Sequence, residues 1–141
     1  MRSIFVNLPV ADVATSRAFF GALGFTFNEQ FSDESTACLV IEQNISAMLM
    51  TPERFGDFVV GETADARKTT EVMLALSADS REEVDRLKAT ALANGGAEWQ
   101  ASQDHGFMYG CSFTDPDGHV WEAVWMDPAV ASGEASPSDT A

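Results

Sequence analysis

The chain has 141 residues, of which 45% are hydrophobic and 21% charged, so it is long enough for one globular domain with a buried core. Its formal net charge of −14 repels nucleic-acid phosphates and anionic membrane surfaces, and argues against both as partners. No apolar run has the length of a membrane span and no signal-like segment opens the chain, so we expect a cytoplasmic protein.

The first part of the chain predicts a strand, a helix and three further strands. Residues 4–10 are rich in strand-forming side chains, Asp12 is a suitable helix N-cap, and Gly24 is a suitable helix stop. Three further strand patterns follow, at residues 25–31, 36–41 and 45–50. Together these elements predict a first module over residues 3–51.

Residues 52–69 predict a connector that separates the first module from a second. Pro52 opens a short stretch of one or two helical turns that contains Phe55 and Phe58, and a polar segment follows it. We expect this aromatic stretch to lie at an interface between copies of the chain or at a hinge.

The second module, predicted over residues 70–126, repeats the order of elements in the first. A strand over residues 70–76 precedes a helix with Ser80 at its N-cap and Glu83 three residues later, which is the pattern of a capping box. A short strand is predicted at residues 97–101 and longer ones at 107–113 and 119–126, with a strong turn signal at residues 115–118 (Asp-Pro-Asp-Gly). Residues 127–141 are rich in Ala, Ser, Gly and Pro, and are predicted to be a disordered tail.

This internal repeat limits the fold to tandem β-α-β-β-β modules of the α+β class. Three motifs carry a resemblance to the vicinal oxygen chelate superfamily, which includes glyoxalases, bleomycin resistance proteins and extradiol dioxygenases. The motifs are residues 7–12 (Asn-Leu-Pro-Val-Ala-Asp), 19–25 (Phe-Phe-Gly-Ala-Leu-Gly-Phe) and 113–122 (Phe-Thr-Asp-Pro-Asp-Gly-His-Val-Trp-Glu). The resemblance implies curved mixed sheets that enclose a ligand cleft.

The metal-dependent members that the chain resembles take a His from the first strand of each module and a Glu from its last strand. Carried onto this sequence, the four positions fall on Phe5, Met48 (with a one-residue uncertainty up to Met50), Met73 and Glu122. Phe cannot bind a metal and the Met thioether is too soft for hard divalent cations, so only Glu122 fits. We therefore expect no glyoxalase-type metal centre, no lactoylglutathione lyase activity and no cofactor.

An alternative set of polar side chains could still bind a divalent metal or perform acid–base chemistry. Glu71 lies two residues before Met73, and His105 lies just before the strand predicted at residues 107–113. If these side chains meet Glu122 in the cleft, Glu122 and His105 are the candidate catalytic residues.

Strand alternation predicts which other side chains line the cleft on the same face as Glu122. The predicted ligand-binding residues are Phe5, Asn7, Met48, Met50, Glu71, Met73, Phe107, Tyr109 and Cys111. The two cysteines, Cys38 and Cys111, lie in apolar runs and are expected to be free thiols. An apolar, Met-rich and aromatic lining with few polar groups is typical of a small-molecule site.

Three functions from different classes are compatible with this pattern. The first is a metal-free protein of the bleomycin-resistance kind that binds a small, largely apolar or cationic molecule. The second is a superfamily enzyme (a lyase, isomerase or dioxygenase) with a non-standard metal set or with Glu122 and His105 alone. The third is an interaction module without catalytic activity, and in each case the resemblance implies a homodimer.

Overall fold

The computed structural model describes residues 1–139, and the chain forms two compact units. The first unit is Met1–Thr69 and the second begins at Thr70. None of the helices in residues 1–139 combines the length and the apolar composition that crossing a bilayer requires.

The first unit contains four strands and two helices. Asp12 caps α1 by accepting a hydrogen bond from the backbone of Ala14, and the helix stops before Gly24, whose φ of 100° favours glycine. Thr51 caps α2, which begins at Pro52 as predicted. The elements are β1 (Ile4–Pro9), α1 (Val13–Ala22), β2 (Thr26–Phe27), β3 (Thr36–Glu42), β4 (Ile45–Met50) and α2 (Pro52–Gly56).

The four strands of the first unit form one mixed sheet in the order β1-β4-β3-β2. β1 pairs with β4 in parallel, and the other pairs are antiparallel. One face of this sheet is apolar and largely buried. Its core consists of Leu8, Ala37, Leu39, Ala47 and Leu49 from the strands, together with Val13, Phe19 and Phe20 from α1.

The second unit repeats this architecture. Ser80 caps α3 by accepting a hydrogen bond from the backbone of Glu83, and Gly95 follows the helix with a φ of 102°. Its elements are β5 (Met73–Ser77), α3 (Arg81–Ala93), β6 (Ala97–Glu98), β7 (Gln103–Asp104), β8 (Met108–Thr114), β9 (Val120–Met126) and α4 (Pro128–Ala131).

The second sheet has the order β5-β9-β8-β6, with β7 paired to β8. The first and last strands of the unit along the chain, β5 and β9, pair in parallel, as β1 and β4 do in the first unit. The same order of elements and the same sheet order therefore occur twice. The predicted α+β class, with tandem modules and mixed sheets, is confirmed.

Several segments differ from the sequence predictions. β5 begins at Met73 rather than at residue 70, β6 ends at Glu98 rather than at residue 101, and the short strand β7 is not among the predicted elements. The strand predicted at residues 25–31 ends after Phe27, because Asn28 caps a short 3-10 helix at Glu29–Phe31. In the tail that was predicted to be disordered, Asp127 caps α4 and its backbone amide donates to the carbonyl of Phe107. A second 3-10 helix lies at Pro137–Asp139, and residues 140–141 of the predicted tail lie outside the described residues.

Candidate functional site

The face of the first sheet opposite α1 carries four of the predicted ligand-binding residues. Strand register places Phe5 opposite Ser46, Asn7 opposite Met48, and Pro9 opposite Met50. Because directly paired residues point to the same side of a sheet, Phe5, Asn7, Met48 and Met50 share one face. Phe5 is 59% exposed, whereas Met50 is buried.

A cavity of about 670 Å³ opens over this face, within the first unit. Most of its wall is apolar and consists of Phe31, Met48, Met50, Phe55, Phe58 and Val59. Four polar side chains also line it: Asn7, Asp33, Thr36 and Arg54. Both the volume and this mixture of groups are typical of a small-molecule site.

The two charged side chains of this cavity are fixed by local contacts. Asp33 Oδ1 accepts hydrogen bonds from the backbone N–H and the hydroxyl of Ser35, both at 2.8 Å. These bonds favour the ionised carboxylate and hold the pKa of Asp33 below its usual value of 3.8. Arg54 contacts Asp57 at 3.1 Å and lies 4.6 Å from the ring centroid of Phe58.

In the second sheet, Glu122 lies on the face away from α3. β5 places Met73 opposite Val120 and Ala75 opposite Glu122, so Met73 shares a face with Glu122. Trp121, the next residue of β9, points to the other side and is 2% exposed. Met73 is 53% exposed, and its side chain therefore lies at the surface of the described chain.

The predicted position of Tyr109 and Cys111 on the Glu122 face is wrong. Ser112 pairs with Glu122 and Gly110 with Val124, so alternate residues of β8 share the Glu122 face and the residues between them do not. Tyr109 and Cys111 instead point toward α3. The tyrosine hydroxyl donates to Asp85, and the Cys111 thiol lies 3.6 Å from the carbonyl oxygen of Val84.

The contacts of Tyr109 and Cys111 also change their acidity. The hydrogen bond to Asp85 stabilises the neutral phenol and raises the pKa of Tyr109 above 10.0. Burial raises the pKa of the Cys111 thiol, which keeps it protonated and unreactive at neutral pH. The Tyr109 hydroxyl and the Cys111 thiol are therefore engaged on the α3 side, although Cys111 also borders the small cavity that contains Glu122.

A second, smaller cavity of about 100 Å³ contains Glu122. Its polar lining comprises Gln100, Gln103, Ser112 and Glu122, beside Met108 and Val124. The Ser112 hydroxyl accepts a hydrogen bond from the backbone of Gln100 at 3.0 Å, which anchors the segment that follows β6. Within the described residues, the Glu122 carboxylate makes no hydrogen bond or ion pair.

The β7–β8 hairpin carries His105 and Phe107, and Arg81 fixes it. The Arg81 guanidinium contacts both carboxylate oxygens of Asp104, at 2.8 and 3.1 Å, and the carbonyl of Gly106 at 2.8 Å. It also lies 4.9 Å from the ring centroid of Trp125. Arg81 therefore joins the start of α3 to the hairpin, and its planar guanidinium makes a two-point contact with the Asp104 carboxylate.

His105 and Glu71 do not join Glu122. His105 is exposed, lies 3.3 Å from Gln103 Oε1 through Nε2, and is absent from the cavity that contains Glu122. Glu71 is exposed and precedes β5, while Phe107 lies in the hairpin turn before β8. In residues 1–139 no three His, Cys, Asp or Glu side chains converge as a metal site.

The four positions that the resemblance assigns to metal ligands carry side chains that do not suit a hard divalent cation. Phe5 has no donor atom, Met48 and Met73 offer only thioethers, and Glu122 alone offers a carboxylate. Met48 instead forms part of the wall of the larger cavity.

The Asp-Pro-Asp-Gly turn at residues 115–118 has a structural role. Asp115 is buried, and Oδ1 accepts hydrogen bonds from the backbone amides of Asp117 at 2.9 Å and His119 at 3.1 Å. Its Oδ2 accepts from the Trp121 indole N–H at 3.1 Å. Burial raises the pKa of Asp115. The turn thereby fixes the start of β9 and the direction in which Glu122 points.

Sequence reasoning did not assign several residues of the larger cavity. The sequence predicts a strand that ends at Phe31, gives Asp33 no role, and places Phe55 and Phe58 at an interface or hinge. The available signal was the concentration of aromatic residues on both sides of β3 and β4, but residues so far apart in sequence could not be joined without the fold.

Comparison with known proteins supports this architecture. A family model described as "Bleomycin resistance protein-like N-terminal" matches residues 2–42. Comparison with curated proteins gives no significant match.

Among solved structures, a hypothetical protein from S. aureus is 28% identical with a TM-score of 0.74, over 89% of this chain and 94% of the other. A glyoxalase/bleomycin resistance protein/dioxygenase family enzyme from Burkholderia phytofirmans is 21% identical with a TM-score of 0.72, over 86% and 96% of the two chains. The fosfomycin resistance protein FosX from Listeria monocytogenes is 18% identical with a TM-score of 0.64, over 89% and 93%. The N-terminal segment is therefore similar to bleomycin resistance-like proteins, and the chain as a whole has the fold of the glyoxalase/bleomycin resistance/dioxygenase proteins.

Proposed function

We propose that the chain binds a small, largely apolar or cationic molecule in the cavity of its first unit. The observation that carries this proposal is the cavity of about 670 Å³ itself, with its aromatic and methionine wall and its few polar groups. A cavity of this size accepts a molecule with one or two rings, and methionine side chains adapt to irregular outlines.

The exposure of two aromatic rings at this cavity also favours ligand binding. Phe31 is 62% exposed and Phe58 is 63% exposed, so both rings present apolar surface to water. A ligand that covers them gains about 25 cal/mol for each Å² of apolar surface removed from water. The proposed contacts involve no metal ion, and Asp33 is the one carboxylate among the described residues that line the cavity.

The test compares two variants with a pair of bicyclic probes, neutral quinoline and the permanent cation N-methylquinolinium. Phe58→Ala removes an exposed ring from the wall, and we expect it to weaken the binding of both probes about fivefold, as measured by calorimetry. Val60→Ala is the matched control, since Val60 is fully exposed and does not line the cavity. Failure of both probes to bind, or equal affinities for both variants and the wild type, would refute the proposal.

An enzyme of the superfamily is the second candidate, and the polar cavity that contains Glu122 favours it. There Glu122 would act as a general acid or base, with Gln100, Gln103 and Ser112 orienting a small polar group. Protein purified without an immobilised-metal column should contain a stoichiometric divalent ion if a non-standard metal set exists. If the purified protein contains no metal and Glu122→Gln binds the ligand with unchanged affinity, Glu122 has a structural role only.

A cytoplasmic homodimer completes the proposal, by analogy with the superfamily. Sedimentation equilibrium measures the mass directly, and a monomer of 15.2 kDa at micromolar concentration would contradict the dimer.

A further inference from the structure

We propose that the cavity of the first unit selects organic cations, with the Asp33 carboxylate as the counter-charge and the phenylalanine rings as the contact surface. This inference rests on the proposed function and adds the charge of the ligand, which the apolar wall alone does not determine. Three features of the cavity lead to it: the state of Asp33, the engagement of Arg54, and the rings of Phe31, Phe55 and Phe58.

Asp33 is a fixed, ionised group at the cavity wall. Its backbone amide donates to the carbonyl of Thr36 at 2.8 Å, and its Oδ1 accepts both donors of Ser35. The side chain is therefore held by the turn that leads into β3, so a ligand finds the negative charge already in place. Such preorganisation lowers the entropic cost of binding.

Arg54 is the only cationic side chain among the described residues that line this cavity, and it is already engaged. Its Nη1 lies 3.1 Å from Asp57 Oδ2, which compensates the guanidinium charge. The Arg54 charge also acts on Asp33, and the three side chains Asp33, Arg54 and Asp57 together carry a net charge of −1. The net charge of −14 on the whole chain acts in the same direction and attracts cations to the protein.

The aromatic wall itself accommodates a cation. The guanidinium carbon of Arg54 lies 4.6 Å from the ring centroid of Phe58, which is a cation–π distance. Two further rings, Phe31 and Phe55, face the same cavity and are suited to the same kind of contact. A flat cation between these rings and Asp33 would gain both attractions, whereas an anion of the same shape would meet the carboxylate.

The experiment uses three probes that share a bicyclic body: cationic N-methylquinolinium, neutral quinoline and anionic 1-naphthoate. For the wild-type chain we expect the cation to bind about fivefold more tightly than quinoline, with naphthoate the weakest. Asp33→Asn should lower the preference for the cation to less than about twofold and leave the affinity for quinoline unchanged. The substitution keeps Oδ1 as an acceptor for Ser35, so the turn is retained.

Glu134→Gln is the matched control, because it removes the same unit of charge outside the cavity lining. It should preserve the preference for the cation. Equal binding of cation and quinoline by the wild type, tightest binding of naphthoate, or an equal loss in both variants would overturn the cation selectivity while the proposed function stands. If no probe binds, the proposed function itself fails. The wild-type comparison requires no variant, so it tests the inference even if Asp33→Asn does not fold.

Discussion

The buried hydrogen bonds of Asp115 allow a quantitative test of how the turn before β9 is held. Replacing Asp115 by Ala removes the acceptor for two backbone amides and for the Trp121 indole N–H. Each lost bond to a buried donor costs about 1–3 kcal/mol, and the indole, on a residue only 2% exposed, is the most costly to leave without this acceptor. We expect Asp115→Ala to lower the free energy of unfolding by about 4 kcal/mol.

Asp115→Asn separates the contribution of the indole bond from that of the backbone bonds. The amide oxygen can still accept from the amides of Asp117 and His119, but the amide nitrogen then faces the Trp121 N–H, donor against donor. The expected loss is about 2 kcal/mol. In a Trp121→Phe background that conflict disappears, so the same substitution should cost about 1–2 kcal/mol less.

The assay is urea unfolding followed by far-UV circular dichroism for the wild type, the three single variants Asp115→Ala, Asp115→Asn and Trp121→Phe, and the double variant Asp115→Asn/Trp121→Phe. Because burial raises the pKa of Asp115, all variants are measured at the same mildly alkaline pH, which favours the ionised carboxylate. Additive losses from Asp115→Asn and Trp121→Phe, within about 0.3 kcal/mol, would refute the direct coupling of the two side chains.

Two further predictions concern α3 and the strand it covers. Tyr109 is the sole tyrosine of the chain, so the absorbance of its phenolate reports one group. Its pKa should lie above 10.0 in the wild type and return toward 10.0 in Asp85→Ala, because the hydrogen bond to Asp85 favours the neutral phenol. Identical titration curves for the two proteins would contradict this. Ser80→Ala removes the N-cap acceptor of the Glu83 amide and should lower the free energy of unfolding in urea by about 1 kcal/mol. Ser80→Gly should lower it by only a few tenths of a kcal/mol. A loss for Ala no larger than that for Gly would count against the cap.

In the second sheet, the orientation of the β9 side chains could be predicted from the sequence, whereas that of the β8 side chains could not. Alternation along β9 correctly opposes Trp121 to Glu122, because neighbouring residues of one strand point to opposite sides whatever surrounds them. Alternation alone could not predict which residues of β8 share the face of Glu122. A five-residue connection joins Thr114 to its partner Val120, and its length places Ser112, rather than Cys111, opposite Glu122.

The larger cavity likewise depends on elements that are distant in sequence. Asn7 comes from β1, Asp33 from the turn before β3, and Arg54 from α2. Each segment follows local rules, such as the Thr51 cap that starts α2, but no local rule states that the three meet. Asp33 becomes a candidate ligand contact only because the fold places it in the same cavity wall as Phe31 and Phe58.

The sequence by itself determined the repeated order of strands and helices, the caps of the helices, the turn at residues 115–118 and the poor match of the superfamily's metal-ligand positions. These features depend on backbone geometry and side-chain chemistry within a few residues of each other. Only the tertiary structure decided which face Tyr109 and Cys111 occupy and which side chains enclose the cavity. Cross-strand register and long-range packing bring together residues whose separation along the chain carries no record of their contact.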